Sequence, residues 1–107
     1  MNNTDLEITE NNEEGKYFIF AKGRVDSNSA DNLLEKLENA LNIGHKIIIL
    51  NMSRVDYLSS IGIRVLLKVY KQANDKGAQF KIDRPSKMVK NVLGMVALKE
   101  LLVINSQ

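Results

Sequence analysis

Apolar residues follow two rhythms along this chain, one of period two and one near 3.6, and the changes of rhythm divide it into elements. Leu6 and Ile8 alternate with Asp5, Glu7 and Thr9, which predicts a short edge strand. The interval Asn11–Gly15 is polar and turn-rich, and Tyr17–Ala21 follows as a second, more buried strand closed by Gly23. The short gap makes these two an antiparallel hairpin. A cluster of helix-capping residues, Asp26-Ser27-Asn28-Ser29, comes next. Behind it Ala30, Leu33, Leu34, Leu37, Ala40 and Leu41 recur at helical spacing, with Glu35, Lys36, Glu38 and Asn39 turned outward, until Asn42 and Gly44 end the helix.

Lys46–Asn51 shows no alternation. Ile47, Ile48, Ile49 and Leu50 are continuous, a run suited to a central strand covered on both faces. A loop from Met52 to Leu58 is expected to lead into a second helix, from Ser59 or Ser60 to about Lys76, stopped by Gly77. Its apolar stripe is Ile63, Leu66, Leu67, Tyr70 and Ala73, with Arg64, Lys68, Lys71 and Gln72 facing away. Gln79–Asp83 reads as a strand, and Arg84-Pro85-Ser86 as a turn whose serine caps a third helix through Met88, Val89, Val92 and Leu93. Leu101–Ile104 reads as a last short strand.

This order predicts an α/β fold: a mainly parallel sheet wound by right-handed crossovers, with the first strand as an antiparallel addition at its edge. A length of 107 residues suits one domain over 1–107, with a core from about 5 to 104. Such sheets carry their sites where loops leave the C-terminal strand ends. Gly23–Ser29 and Met52–Gly62 answer that description.

Composition narrows the function. With 44% hydrophobic and 26% charged residues, the chain has the balance of a soluble globular domain that buries its own core. The absence of cysteine excludes disulfides, thiolate catalysis and Cys-based zinc sites. A net charge of +2, with Lys81, Arg84, Lys87 and Lys90 as the densest basic run, is too weak to indicate nucleic acid. No apolar stretch approaches the roughly 18 residues of a membrane span, and Met1–Asp5 has none of the features of a signal peptide, so a cytoplasmic protein without membrane insertion is expected. The single histidine, His45, lies at the start of a strand, the wrong end of the sheet for a site. Asp26 and Asp56 both follow strands, but neither loop supplies a nucleophile, base and orienting group together, and no phosphate-cradling motif is present. No enzyme, no metal and no cofactor is expected.

The most specific stretch is Val55-Asp56-Tyr57-Leu58-Ser59-Ser60-Ile61-Gly62-Ile63-Arg64-Val65-Leu66-Leu67. It resembles the hallmark of the STAS family of anti-sigma factor antagonists, in which a strand leads through a serine-rich turn and a glycine into a helix. Gly23-Arg24-Val25-Asp26 resembles the family's signature after its second strand, Ser29-Ala30 the start of its first helix, and Gly77–Ile82 the strand after its central helix. Val89–Ile104 follows its third helix and final strand, so nearly the whole chain is covered.

The resemblance implies partner switching: binding to an anti-sigma factor of the histidine-kinase-like ATPase type, release of the sigma factor, phosphorylation by that serine kinase and resetting by a phosphatase. It implies a partner surface around Asp26, Ser27, Asn28, Asp56, Tyr57, Leu58, Ile61 and Gly62, and the outward helix positions Arg64 and Lys68, one turn apart, are expected to extend it toward acidic side chains of the partner. The family's phosphoacceptor stands just before the glycine, and here that position is Ile61. Either Ser60 (with Ser59 as the second candidate) has taken the role, or the protein binds without that switch. One of the two serines also serves as helix N-cap, and Gly62 permits close packing in the first turn. Two other STAS roles suit the sequence as alternatives, an adaptor subunit of a transporter ATPase complex and a ligand-sensing domain. Family members continue into a further helix after the last strand whereas this chain ends at Gln107, so apolar surface near Leu101–Ile104 is expected to be exposed or used in a homodimer.

Overall fold

The computed structural model describes residues 6–95. They form β1 (Leu6–Glu13), β2 (Lys16–Val25), α1 (Ala30–Ile43), β3 (Ile47–Leu58), α2 (Ser60–Asp75), β4 (Gln79–Asp83) and α3 (Lys87–Met95). The sheet order is β1-β2-β3-β4, with β1 antiparallel to β2 and the other pairs parallel. This is the wound sheet with an antiparallel edge strand that the sequence predicts. The expected strand at Leu101–Ile104, and with it the apolar surface assigned to a homodimer, lies outside the described residues.

The hairpin is longer and tighter than its polar residues suggest. Asn11, Asn12 and Glu13 belong to β1 and pair with Phe18, Tyr17 and Lys16, so the turn is confined to Glu14 and Gly15. Both have positive φ, 53° and 78°, as the favoured two-residue hairpin turn requires. Polar residues are tolerated in β1 because it is an edge strand exposed to water. Likewise Gly23 does not close β2, which pairs onward through Val25.

The largest correction concerns Met52–Leu58. Those residues are not a loop but the second half of β3, paired with Lys22–Val25 of β2 beyond the last residue of β4. Two register shifts, between Phe20 and Lys22 and between Gly23 and Arg24, place extra residues on β3. Bulges break the period of two, and the pattern B-e-e-B-e-e-B at Met52, Val55 and Leu58 has no simple alternation to read.

One face of the sheet buries Ile19, Ala21, Val25, Ile48, Leu50 and Met52 beneath the two helices, with α1 packed on α2 and β2, and α2 on β3 and β4. On the opposite face Ile47 and Ile49 are half-buried, so the isoleucine run is fully covered on one side only. The seam of α2 is also rotated from the expected stripe. Val65, Leu66, Val69 and Ala73 are buried, Ile63 and Tyr70 pack at the margin, and Leu67 is 40% exposed. Gln72, expected to face away, is half-buried and donates to Glu38 Oε2 of α1 at 2.9 Å. α3 packs on β3, anchored by Ser86. Its Oγ donates to the Val55 carbonyl at 2.7 Å and accepts from Val89 N–H at 3.2 Å, so the predicted cap also ties the helix to the sheet.

Candidate functional site

β2 and β3 end side by side, with Val25 paired to Leu58. The segments that leave them are therefore neighbours: Asp26–Ser29 entering α1, and Ser59–Gly62 entering α2. Ser59 N–H donates to the Val25 carbonyl at 2.9 Å, which joins the two exits directly.

Ser59 is the N-cap of α2. Its extended backbone (φ −85°, ψ 172°) turns Oγ back to accept from Gly62 N–H at 3.2 Å, satisfying one of the helix's free donors. Ser60, the first helical residue, is exposed, and Ile61 beside it is 40% exposed. Gly62 is buried: a Cβ there would stand 2.7 Å from both Leu58 Cδ1 and Val25 Cγ1. The glycine lets the first turn of α2 sit directly on the ends of β2 and β3. Leu58, 5% exposed, is likewise a packing residue. Leu58 and Gly62 thus shape the site from beneath, while Tyr57, Ser60 and Ile61 form its outer surface. Asp56 is exposed on β3, and Arg64 and Lys68 are exposed along α2. Lys68 lies 3.9 Å from Glu38 of α1, a loose surface ion pair, whereas Arg64 makes none among the described residues.

The Asp26–Ser29 segment is a knot rather than a simple cap. Asp26 Oδ1 accepts from Asn28 N–H at 3.0 Å, and Arg24 Nε stands 3.4 Å from Oδ2. Partial desolvation, the largest single influence on the carboxyl, pushes its pKa up. The Asn28 N–H, the Arg24 hydrogen bond, the Ser29 N–H and the Arg24 charge together outweigh it, leaving Asp26 below the usual carboxylate value. Ser29, although it precedes α1, makes no side-chain cap to that helix. Its buried Oγ donates instead to the Arg24 carbonyl at 2.6 Å and accepts from Asp26 N–H at 3.1 Å. Ser27 and Asn28 are exposed at the apex. The hydrogen-bond partners of Asp26 are Arg24, Asn28 and Ser29, and Asp56 is not among them.

Arg24 and Ser29 are the contributors that sequence reasoning did not assign. The Arg24 guanidinium lies 4.2 Å from the centre of the Tyr57 ring while also serving Asp26. Only the pairing of Arg24 with Tyr57 across the bulged strands brings these together. His45 stacks on Tyr17 at 4.2 Å at the far end of the sheet, away from this surface. Among the described residues no cluster of His, Asp or Glu is placed to hold a metal ion, and no helix is long and apolar enough to cross a membrane.

A family model described as the STAS domain matches residues 4–106. The chain belongs to the STAS domain family. The STAS fold is shared with SpoIIAA in its unphosphorylated form (TM-score 0.79, 18% identity, 91% of this chain and 86% of that chain). It is shared also with an anti-sigma factor antagonist from Mycobacterium paratuberculosis (TM-score 0.83, 15% identity, 92% and 86%). In sequence, the chain is 33% identical over 67 residues to a candidate anti-sigma factor antagonist, BtrV, of Bordetella bronchiseptica. That match spans 63% of this chain and 58% of the relative's length. In this STAS domain the serine-rich turn brings together the two strand exits, the exposed hydroxyl of Ser60 and the N-terminus of α2.

Proposed function

We propose that this STAS domain is an anti-sigma factor antagonist that works by docking and not by catalysis. Its partner is an anti-sigma factor of the histidine-kinase-like ATPase type, and phosphorylation of Ser60 ends the complex. The observation that carries the reading is the position of Ser60: an exposed hydroxyl on the first residue of α2, flanked by exposed Ile61 and Tyr57. The names of the BtrV relative and of the structural neighbours support the antagonist role, and the family match over residues 4–106 supports one working unit.

A phosphate on Ser60 adds about 1.5 to 2 negative charges to a surface whose apolar members, Tyr57 and Ile61, would otherwise be desolvated by the partner. Within the domain the same phosphate is tolerated, because the free N–H groups and positive dipole end of α2 lie beside it. Ser59 is the weaker acceptor since its Oγ already receives Gly62 N–H. Arg64, Leu67 and Lys71 continue the exposed stripe of α2 from Ser60 at helical spacing, a mixed basic and apolar track for the partner. Asp26, Ser27, Asn28 and Asp56 complete the surface on the strand side. A phosphatase that removes the group restores binding.

The deciding experiment incubates the full chain with the kinase-like partner and ATP and maps added mass by fragmentation. One phosphate on Ser60, lost in Ser60→Ala, supports the switch. A stable complex without transfer means constitutive binding. Neither complex nor transfer favours the transporter-ATPase adaptor, the reading that Ile61 in the usual acceptor position suits.

A further inference from the structure

The sheet face turned away from α1 and α2 carries an arrangement that the switch surface does not use. Phe20 and Lys22 alternate with the buried residues of β2 and project from this side, and both are exposed. Lys22 stands in a cross-strand row between Glu7 of β1 and Arg54 of β3, both of them exposed. Like charges placed directly opposite each other destabilise a sheet, and neither cation has an ion-pair partner within 4 Å among the described residues. Beside them Phe20 leaves 40% of its surface exposed, and a shallow depression of about 280 Å³ is lined by the ring, the two cations and Glu7. Two cations against one carboxylate leave this surface net positive around a partly exposed aromatic ring, complementary to a ligand that brings carboxylates and apolar surface together.

We infer that this face docks a second partner segment, an extended acidic peptide whose carboxylates pair with Lys22 and Arg54 while an aromatic or large aliphatic side chain covers Phe20. The site is separate from Ser60 and stands whether or not the switch does. Nucleic acid is the other polyanion to weigh, and the charge disfavours it: a net charge of +2 gives little of the counterion release that drives binding to a phosphate backbone.

The test is an amide NMR titration of the full chain with a short synthetic peptide alternating Glu with Phe and Leu. The same peptide with Lys in place of Glu, and oligouridylate, serve as controls. The expected result is saturable shifts at Phe20, Lys22 and Arg54 with the acidic peptide alone. Binding should weaken about tenfold in Arg54→Glu and persist in Ser60→Ala. Because Arg54→Gln removes a like-charge clash, that variant should stay folded, with urea stability unchanged or raised, and still lose affinity. The proposal is overturned by any of four results. These are no shifts at these residues, equal response to the Lys peptide or to oligouridylate, contacts of residues 96–107 with Phe20 in the free protein, or concentration-dependent shifts of Phe20 without peptide, which would make a second copy the occupant.

Discussion

Gly62 and Val25 are in such close register that a methyl group on the glycine would stand 2.7 Å from Val25 Cγ1. Val25 is β-branched, fully buried and fixed at the end of β2, so it cannot swing aside as the tip of Leu58 can. Gly62→Ala should therefore lower stability by about 1 to 3 kcal/mol through overpacking, even though alanine favours a helix by about 1 kcal/mol. The double variant with Val25→Ala should recover part of the loss, and a double-mutant cycle in urea measures the coupling. Strict additivity would mean the two residues do not press on each other.

The two serines of the turn should separate into a structural and a functional one. Ser59→Ala removes the acceptor for Gly62 N–H and should cost about 1 kcal/mol, while Ser60→Ala should stay within about 0.5 kcal/mol of the parent. Phosphotransfer should show the reverse pattern, with Ser60→Ala inert and Ser59→Ala still a substrate. If Ser60→Ala proves the more destabilising, the assignment of cap and acceptor is inverted.

Much of this site was legible because it rests on local chemistry. A serine before an apolar-periodic run caps the helix that follows, and the glycine three residues after Ser59 marks a close approach. The Ile47–Leu50 run marks an interior strand, although only its Ile48 and Leu50 face is fully covered. What could not be read was tertiary in origin. Met52–Leu58 looks like a loop since Ser53, Arg54 and Asp56 interrupt any alternation, yet pairing with Lys22–Val25 holds it as a bulged strand. Leu67 looks like core because it continues a stripe with Ile63 and Tyr70, but the buried seam of α2 runs through Val65, Leu66, Val69 and Ala73 instead. Ser29 looks like a cap, and only the nearness of the Arg24 carbonyl turns its hydroxyl back onto β2.

Ser86 holds α3 through two bonds made by one hydroxyl. Ser86→Ala leaves Val89 N–H without its cap and the Val55 carbonyl without its donor, and should cost about 1 to 3 kcal/mol. Since Val55 lies in the bulged half of β3, the effect should reach the switch surface. Amide exchange should accelerate at Val89 and Lys90 and also near Tyr57. Acceleration confined to α3 would show that the Val55 bond is not what ties the helix to the site.

The Asp26 knot gives the fold a defined response to acid. The carboxyl is held below the usual value of about 3.9, so its folded form binds a proton less readily than its unfolded form. For such a group the stabilising contribution is complete above the unfolded pKa and fades as pH falls through the lower, folded value. Asp26→Asn keeps an acceptor for Asn28 N–H but loses the charge facing Arg24. The gap in urea midpoint between parent and variant should then be flat above about pH 5 and close at more acid pH. Arg24→Gln removes the hydrogen bond and the charge that Arg24 supplies, which leaves desolvation less opposed. In that background the gap should be smaller and its closure complete at higher pH. A gap that persists unchanged into strong acid would mean that Asp26 acts through hydrogen-bond geometry alone, with its charge contributing nothing to the knot.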